Sequence, residues 1–282
     1  MSEGPIISPA ELSPRLRAGD WAIVDCSFYL GEPERGGSEY LQAHLPGAVY
    51  AHLERDLSAT TTGHNGRHPL PSVDEMTERF SSWGIDSSVP VIVYDTDAGQ
   101  TAARLWWMLR YLGHHRVLLL DGGIKAWKEA GLPLRGGREE RSARRFQARP
   151  RAAMRVDRKE LSAPGAGDGR LLIDARAPER YRGEIEPIDP VAGHIPGARN
   201  HFWQKNLDER GLFLSPQRLR DEFDGLLGST PPEAAVVYCG SGVTACHNLL
   251  AMEVAGIRGA RLYPGSWSEW CAHPDLPIER DG

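Results

Sequence analysis

The segment Tyr238–Ala245, which reads YCGSGVTA, holds the residues best suited to covalent chemistry. It lies where an apolar stretch, AAVVY, gives way to a stretch of helical character, and α/β proteins commonly carry reactive groups at such a turn. Gly240 and Gly242 allow a tight turn without side chains on its inner wall, so successive N–H groups can converge on Cys239. Convergent amides stabilise a thiolate and also the outer, anionic sulfur of a persulfide. The alternative is a buried structural cysteine beside an ordinary glycine turn.

If Cys239 is the nucleophile, we expect the backbone of four residues that follow it to line its site. These residues are Gly240, Gly242, Val243 and Thr244.

Four phrases occur twice along the chain in the same order, which indicates a duplicated domain. The pairs are WAIVDC and RLLIDA, AHLPGA and GHIPGA, VPVIVYD and PEAAVVYC, and LLLDGGIKAW and ARLYPGSWSEW. Each half alternates short apolar runs with longer helical segments, the pattern of a parallel sheet flanked by helices. We therefore predict an α/β fold with an amino-terminal domain at residues 1–137, an Arg-rich linker at 138–154 and a carboxyl-terminal domain at 155–282.

The loop CGSGVTA, together with HLPGA, HIPGA, DGGIKAW and YPGSWSEW, resembles the phrases of the tandem rhodanese superfamily, in the branch of the 3-mercaptopyruvate sulfurtransferases. The resemblance covers nearly the whole chain. It implies two rhodanese-like domains, each with a five-stranded parallel sheet, of which only the second is catalytic. Asp95 stands at the position of the first half that corresponds to Cys239, and a carboxylate cannot carry sulfane sulfur. The first half is thus expected to complete the active site across the domain boundary without reacting itself.

The resemblance also implies a proton relay made of Ser241, a histidine from the first domain (His68) and an acid upstream of that histidine. Glu54 occupies the family's acid position when residues are counted from the HLPGA phrase, and Asp56 is close enough to replace it. A relay suits the reaction because the departing pyruvate enolate needs a proton, which a hydroxyl held by an imidazole can deliver.

A donor that bears a carboxylate needs a cation, and Arg180 matches the family's substrate-binding arginine. The neighbouring Arg176 and Arg182 are expected to tie down their loop by salt bridges. Some members of the family carry a second arginine before the HIPGA phrase. This chain reads EIEPIDPVAGH there, without a cation, so another group must hold the second end of the donor.

Thiosulfate is the nearest alternative donor. Relatives that specialise in thiosulfate carry cations immediately after the cysteine, but this chain has Gly240 and Ser241 there. Two unit charges 4 Å apart interact by about 4 kcal/mol at an effective dielectric constant near 20, so the loss of such a cation should disfavour a dianion. A non-catalytic sulfur-relay or binding module is a further alternative. A rhodanese-like phosphatase is disfavoured because its C-x₅-R loop would need an arginine where Ala245 stands.

Composition bounds the environment of the protein. The 282 residues carry a net charge of −5 and no apolar stretch of membrane-spanning length, so neither nucleic acid nor a membrane is an expected partner. Four cysteines without an export signal indicate reduced thiols and a cytoplasmic location. No cofactor is expected, and no metal either, since no spacing such as C-x-x-C occurs. The expected partners are a small sulfur donor and an acceptor such as thioredoxin, glutathione or cyanide.

Overall fold

The computed structural model describes residues 4–18, 20–96, 98–163, 165 and 169–281. The chain divides into two compact units. Unit 1 comprises residues 1–59, 71–151 and 209–213, and unit 2 comprises residues 60–70, 152–208 and 214–282. The segment 60–70 lies between two parts of unit 1 in the sequence but packs with unit 2.

Unit 1 is built around a five-stranded sheet in which every strand pairs in parallel, in the order β1-β5-β4-β2-β3. Its strands are β1 (Ile6–Ile7), β2 (Ala22–Asp25), β3 (Ala48–Tyr50), β4 (Val91–Tyr94) and β5 (Val117–Leu120). Its helices are α1 (Pro9–Ala18), α2 (Arg35–Gln42), α3 (Leu53–Asp56), α4 (Val73–Ser82), α5 (Ala102–Tyr111) and α6 (Gly123–Glu129).

Unit 2 repeats this plan with a shorter sheet in the order β7-β6-β8-β9, again parallel throughout. Its strands are β6 (Leu171–Asp174), β7 (Arg199–Asn200), β8 (Ala235–Tyr238) and β9 (Arg261–Leu262). Its α-helices are α7 (Arg158–Ser162), α8 (Pro178–Arg182), α9 (Pro216–Leu227), α10 (Ala245–Val254) and α11 (Ser266–Trp270). Short 3₁₀ turns occupy Ala152–Met154, Trp203–Asn206 and Pro232–Ala234.

The second sheet differs from the expected five strands. Among the residues described, the place that β1 holds beside β5 is taken in unit 2 by a single parallel bridge between Arg155 and Leu262. The α/β architecture with two similar halves is confirmed, and the fifth strand of the second half is reduced to one residue pair.

The central strands β4 and β8 are buried along their whole length, as the runs VIVY and AVVY predict for parallel strands covered on both faces. Helix α5 is buried on nearly every side, and Trp106 and Trp107 are 2% and 1% exposed. Both tryptophans are therefore packing residues of the first unit. Within the described part of the chain, no helix is both long and apolar enough to cross a bilayer.

The Arg-rich segment lies along unit 1. Arg141 donates to Asp20 at 2.7 Å, and Arg144 pairs with Asp20 at 2.6 Å and with Asp86 at 3.2 Å. Phe146 is buried against Phe80, with ring centroids 5.3 Å apart. These cations therefore contact acidic side chains of the first unit.

Candidate active site

The turn after β8 places Cys239 at the carboxyl edge of the second sheet, and its side chain is almost fully buried. Among the loop amides, the N–H of Gly242 donates to Cys239 Sγ at 3.2 Å. Gly242 has φ +74°, and an added Cβ would lie 2.2 Å from the carbonyl oxygen of Pro264. Only glycine fits this position, because both its left-handed backbone and its closest neighbour exclude a side chain.

The turn before α11 fixes the cysteine loop from the other side. Ser266 Oγ accepts the N–H of Cys239 at 3.1 Å and donates to the carbonyl of Tyr263 at 2.9 Å. The amides of Trp267 and Ser268 donate to the carbonyls of Cys239 and Gly240 at 2.9 and 2.8 Å. Ser266 has φ +55°, a left-handed conformation that costs of order 1–3 kcal/mol outside glycine. Gly123 stands at the corresponding position of the first half and has φ +56°. Ser266 therefore adopts a backbone conformation that a glycine adopts in the first half.

His68 and Ser241 lie together, as the resemblance implied. The Nδ1 atom of His68 is 2.7 Å from Ser241 Oγ, and both residues are buried. The resemblance assigned His68 to the first domain, but its segment, 60–70, belongs to unit 2. That segment is held in place because Ser268 Oγ accepts the N–H of Arg67 at 3.0 Å.

The two candidate acids have different surroundings in unit 1. Glu54 is exposed on α3, where its amide donates to the ring nitrogen of His52 at 3.2 Å. The carboxylate of Asp56 binds Arg79 and accepts the N–H of His52 at 2.7 Å. The assignment of Glu54 as the relay acid stays a prediction, and Asp56 is already engaged in structural contacts.

Two guanidinium groups lie beside the cysteine loop, one expected and one that sequence reasoning missed. A Cβ added to Gly240 would lie 2.9 Å from Nη2 of Arg67 and 3.7 Å from both terminal nitrogens of Arg180. The carboxylate of Asp189 joins them, since its Oδ1 binds Nη1 of Arg67 and its Oδ2 accepts Nη2 of Arg180 at 3.1 Å. Glu186 also binds Arg180, with its Oε1 2.7 Å from Nη2.

The segment EIEPIDPVAGH thus provides carboxylates, and the second cation comes from residue 67. Burial raises the pKa of Asp189, and Arg67 is the strongest influence that lowers it. Burial also opposes ionisation of Glu186, but the hydrogen bond from Arg180 and other contacts leave its pKa lowered. A clue was present in the sequence: Arg67 immediately precedes His68 in GRHPLP, so any segment that delivers His68 must bring Arg67 with it.

The other singled-out arginines and histidines have structural partners. Arg176 pairs with Asp174 at 2.6 Å, and Arg182 pairs with Glu184 at 2.6 Å, which confirms the expected salt bridges. His44 and His194 stand in the repeated phrases AHLPGA and GHIPGA, and the Nδ1 atom of each lies 2.7 Å from the carbonyl oxygen of a tyrosine, so the two halves share this structural contact. Cys26, Cys246 and Cys271 are buried and form no disulfide bond, as expected of packing residues.

Asp95 occupies the corresponding turn of unit 1, and it accepts three backbone amides at 2.8 Å each, from Gly99, Thr101 and Ala102. A permanent carboxylate therefore fills the anion-binding turn of the first half. The corresponding turn of the second half surrounds a cysteine sulfur instead. The chemical asymmetry expected from the two sequences is thus visible in the two loops.

The rhodanese-like domain model matches this chain twice, at residues 8–130 and 157–273. A Pseudomonas aeruginosa protein, named provisionally a 3-mercaptopyruvate sulfurtransferase, is 46% identical over 99% of both chains. A Mycobacterium tuberculosis protein, named provisionally the thiosulfate sulfurtransferase SseB, is 40% identical over 98% of this chain and 96% of its own. Among solved structures, the 3-mercaptopyruvate sulfurtransferase from Leishmania major superposes with a TM-score of 0.88 at 29% identity, over 99% of this chain and 77% of its own.

Proposed function

Because the chain belongs to the rhodanese-like domain family and matches sulfurtransferases along its whole length, we propose that it transfers sulfur from 3-mercaptopyruvate through Cys239. The single observation that carries this proposal is the N–H of Gly242 directed at Cys239 Sγ, beside two guanidinium groups. It combines a site for negative charge on sulfur with a site for the donor's carboxylate.

In the first half-reaction, the Cys239 thiolate attacks the sulfur of the donor and a sulfur–sulfur bond forms. The bond between that sulfur and the donor's methylene carbon breaks, and its electron pair passes to carbon as the enolate of pyruvate. Proton delivery to that carbon releases pyruvate and leaves the Cys239 persulfide. The Gly242 amide stabilises the anionic sulfur before and after the transfer.

The hydroxyl of Ser241, held by His68, is the proposed proton donor to the enolate. Its 2.7 Å contact with the imidazole is short enough for direct proton exchange. Glu54 remains the proposed acid of the relay, with Asp56 as the alternative. The buried position of Ser241 and His68 favours proton transfer between them over exchange with water.

Arg67 and Arg180 are the proposed binding groups for the donor's carboxylate and adjacent carbonyl. Asp189 orients both guanidinium groups toward the loop, and Glu186 fixes Arg180 further. Two pre-oriented guanidinium groups can bind a carboxylate and a ketone oxygen at once, which would position the donor sulfur over Cys239. This arrangement replaces the arginine that is missing before the HIPGA phrase. The backbone of Gly240, Gly242, Val243 and Thr244 forms the remaining wall of the proposed donor site.

Thiosulfate is a second candidate donor because Arg67 lies beside Gly240. The sequence argument against thiosulfate counted only cations adjacent to Cys239 along the chain, and Arg67 reaches the same loop from a distant segment. We therefore expect measurable transfer from thiosulfate. We expect 3-mercaptopyruvate to be the better donor because proton transfer from Ser241 assists the departure of its leaving group, pyruvate, and not that of sulfite.

A thiol or cyanide is the proposed acceptor, with thioredoxin and glutathione as the protein and small-molecule candidates. The four cysteines form no disulfide bond, which fits a reducing compartment, and we propose the cytoplasm. The test compares kcat/KM for 3-mercaptopyruvate and thiosulfate with cyanide or a dithiol as acceptor, and Cys239→Ser as the control. Equal turnover by the Cys239→Ser variant would contradict the proposed nucleophile.

A further inference from the structure

The two units share a buried aspartate at the end of corresponding strands, Asp25 at the end of β2 and Asp174 at the end of β6. In unit 1 the side-chain hydroxyl of Tyr94 bonds to Asp25 and accepts the N–H of Leu45 at 3.1 Å. In unit 2, Tyr238 bonds to Asp174 and accepts the N–H of Ile195 at 3.2 Å. The two carboxylates therefore have the same surroundings on this side.

The backbone on their other side is also the same. Asp25 Oδ1 accepts the N–H of Ser27 at 2.9 Å, and Asp174 Oδ1 accepts the N–H of Arg176 at 2.9 Å. Residue by residue, the duplicated phrases place Ser27 at the position of Arg176. The two halves thus differ in the side chain that follows the aspartate.

In unit 2 the guanidinium of Arg176 fills the space in front of Asp174. Its Nη2 atom donates to Asp174 Oδ2 at 2.6 Å and to the carbonyl of Gly193 at 2.7 Å. Its planar face lies 4.7 Å from the ring centroid of Trp267, and Arg176 is 3% exposed. Asp174, Gly193 and Trp267 therefore form three sides of a guanidinium-binding site that the chain occupies itself.

In unit 1 the corresponding residues line an open cavity. The phrases place Ala43 at the position of Gly193 and Ile124 at the position of Trp267. Asp25, Ser27, Ala43 and Ile124 all border a cavity of about 520 Å³, a volume within the range of small-molecule sites. Because Ser27 is short, the space that a guanidinium takes in the second half is available to a ligand in the first.

The remaining wall of this cavity carries charges of both signs. Glu39 and Glu129 line it, and the carboxylate of Glu39 accepts Nε of Arg35 and the hydroxyl of Tyr29, each at 2.8 Å. Lys125 and Lys128 also line it, and they suit a ligand that carries an acidic group away from its cation. Tyr29 adds an aromatic ring at the rim.

We propose that this cavity of unit 1 binds a small guanidino acid, with its guanidinium group paired to Asp25 as Arg176 is paired to Asp174. The carboxyl group of the ligand faces Lys125 and Lys128. Burial raises the pKa of Asp25 to about 6, as expected for a carboxyl group withdrawn from water, and a paired cation offsets that cost. Residues of unit 1 alone line the site, and the proposal does not depend on the proposed sulfur transfer.

The test is a nuclear magnetic resonance titration of the full chain with guanidinoacetate and with its isostere ureidoacetate, in which an uncharged urea group replaces the guanidinium. We expect guanidinoacetate to shift the amide resonances of Ser27, Ala43 and Lys125, and ureidoacetate to leave them in place. The two probes carry the same carboxylate, so the difference isolates the guanidinium.

Three variants decide the geometry. Ser27→Arg supplies its own guanidinium and should abolish the shifts, Asp25→Asn should abolish them by removing the counter-charge, and Ser27→Ala should keep them. The proposal is overturned if guanidinoacetate gives no shifts at these amides, if ureidoacetate gives equal ones, or if binding persists in Ser27→Arg. Should Ser27→Arg not fold, Asp25→Asn against Ser27→Ala decides in the same way, since equal binding by both excludes Asp25 as the counter-charge.

Discussion

The Nδ1 atom of His68 lies 2.7 Å from Oγ of Ser241, although 173 positions separate the two residues in the chain. The contact forms because segment 60–70 packs into the unit that holds the cysteine loop. Because the hydroxyl and the imidazole lie within hydrogen-bond distance, a proton can pass between them.

The first prediction concerns this pair. Ser241→Ala and His68→Ala should each lower kcat for 3-mercaptopyruvate by roughly 100-fold or more, because the enolate loses its proton donor. Thiosulfate transfer should fall much less, since sulfite leaves without needing a proton on carbon. Steady-state kinetics with both donors checks this, with Ser229→Ala on the exposed turn after α9 as control. A double variant as active as either single one indicates a coupled pair, whereas multiplied losses would contradict the relay.

A second prediction concerns the donor's carboxylate. Arg67→Gln and Arg180→Gln should each raise KM for 3-mercaptopyruvate by roughly 10- to 100-fold, because a charge-assisted hydrogen bond contributes about 1.5–3 kcal/mol. Arg182→Gln is the matched control, since its partner Glu184 is on the surface. An unchanged KM in Arg67→Gln would show that residue 67 only supports the fold of its segment.

A third prediction separates the two loop glycines. Gly242→Ala should abolish activity and lower the free energy of unfolding by about 1–3 kcal/mol, because its Cβ would meet the Pro264 carbonyl oxygen in a left-handed backbone. Gly240→Ala should fold normally and mainly raise KM, because the new Cβ meets no backbone atom and would displace the guanidinium of Arg67, 2.9 Å away. Chemical denaturation and kinetics of both variants check this contrast. Equal losses of stability would argue against the described loop geometry.

A fourth prediction concerns pH. Burial lowers the pKa of His114 to about 4, whereas the unfolded chain binds this proton near pH 6.5. The unfolded state therefore holds more protons between these values, so stability is full above pH 6.5 and falls as the pH drops toward 4, by up to about 3 kcal/mol. His114→Asn should flatten this part of the pH dependence in urea denaturation, while His115→Asn, at the exposed neighbour whose pKa is lowered by less, should flatten it much less. A parent-like slope in His114→Asn would refute the assignment.

Much of the fold could be predicted from local patterns. The buried runs VIVY and AVVY became central strands, and the duplicated phrases became equivalent positions in two sheets. The interaction of a loop amide with the cysteine sulfur was also predicted, because glycines after Cys239 allow the tight turn that directs the N–H of Gly242 at the sulfur. The fifth strand of unit 2 was expected from the resemblance, but its reduction to a single bridge at Arg155 was not predicted, since no apolar run marks this strand in the sequence.

The second cation was missed for a physical reason. Sequence spacing locates residues that neighbour Cys239 along the chain, but Arg67 reaches the loop only because segment 60–70 packs into unit 2. Asp189 shows the same limit, because a carboxylate in a donor-binding region looks unfavourable until the two arginines that it orients are known. Tertiary packing, which local patterns do not encode, decided both.

The most direct test of the proposed function is the mass of the protein after treatment with 3-mercaptopyruvate in the absence of an acceptor. The account predicts one added sulfur atom per chain, mapped by peptide analysis to residue 239, released by cyanide, and missing in Cys239→Ser. Sulfur found on Cys26, Cys246 or Cys271, or turnover by the Cys239→Ser variant without any protein-bound sulfur, would contradict it.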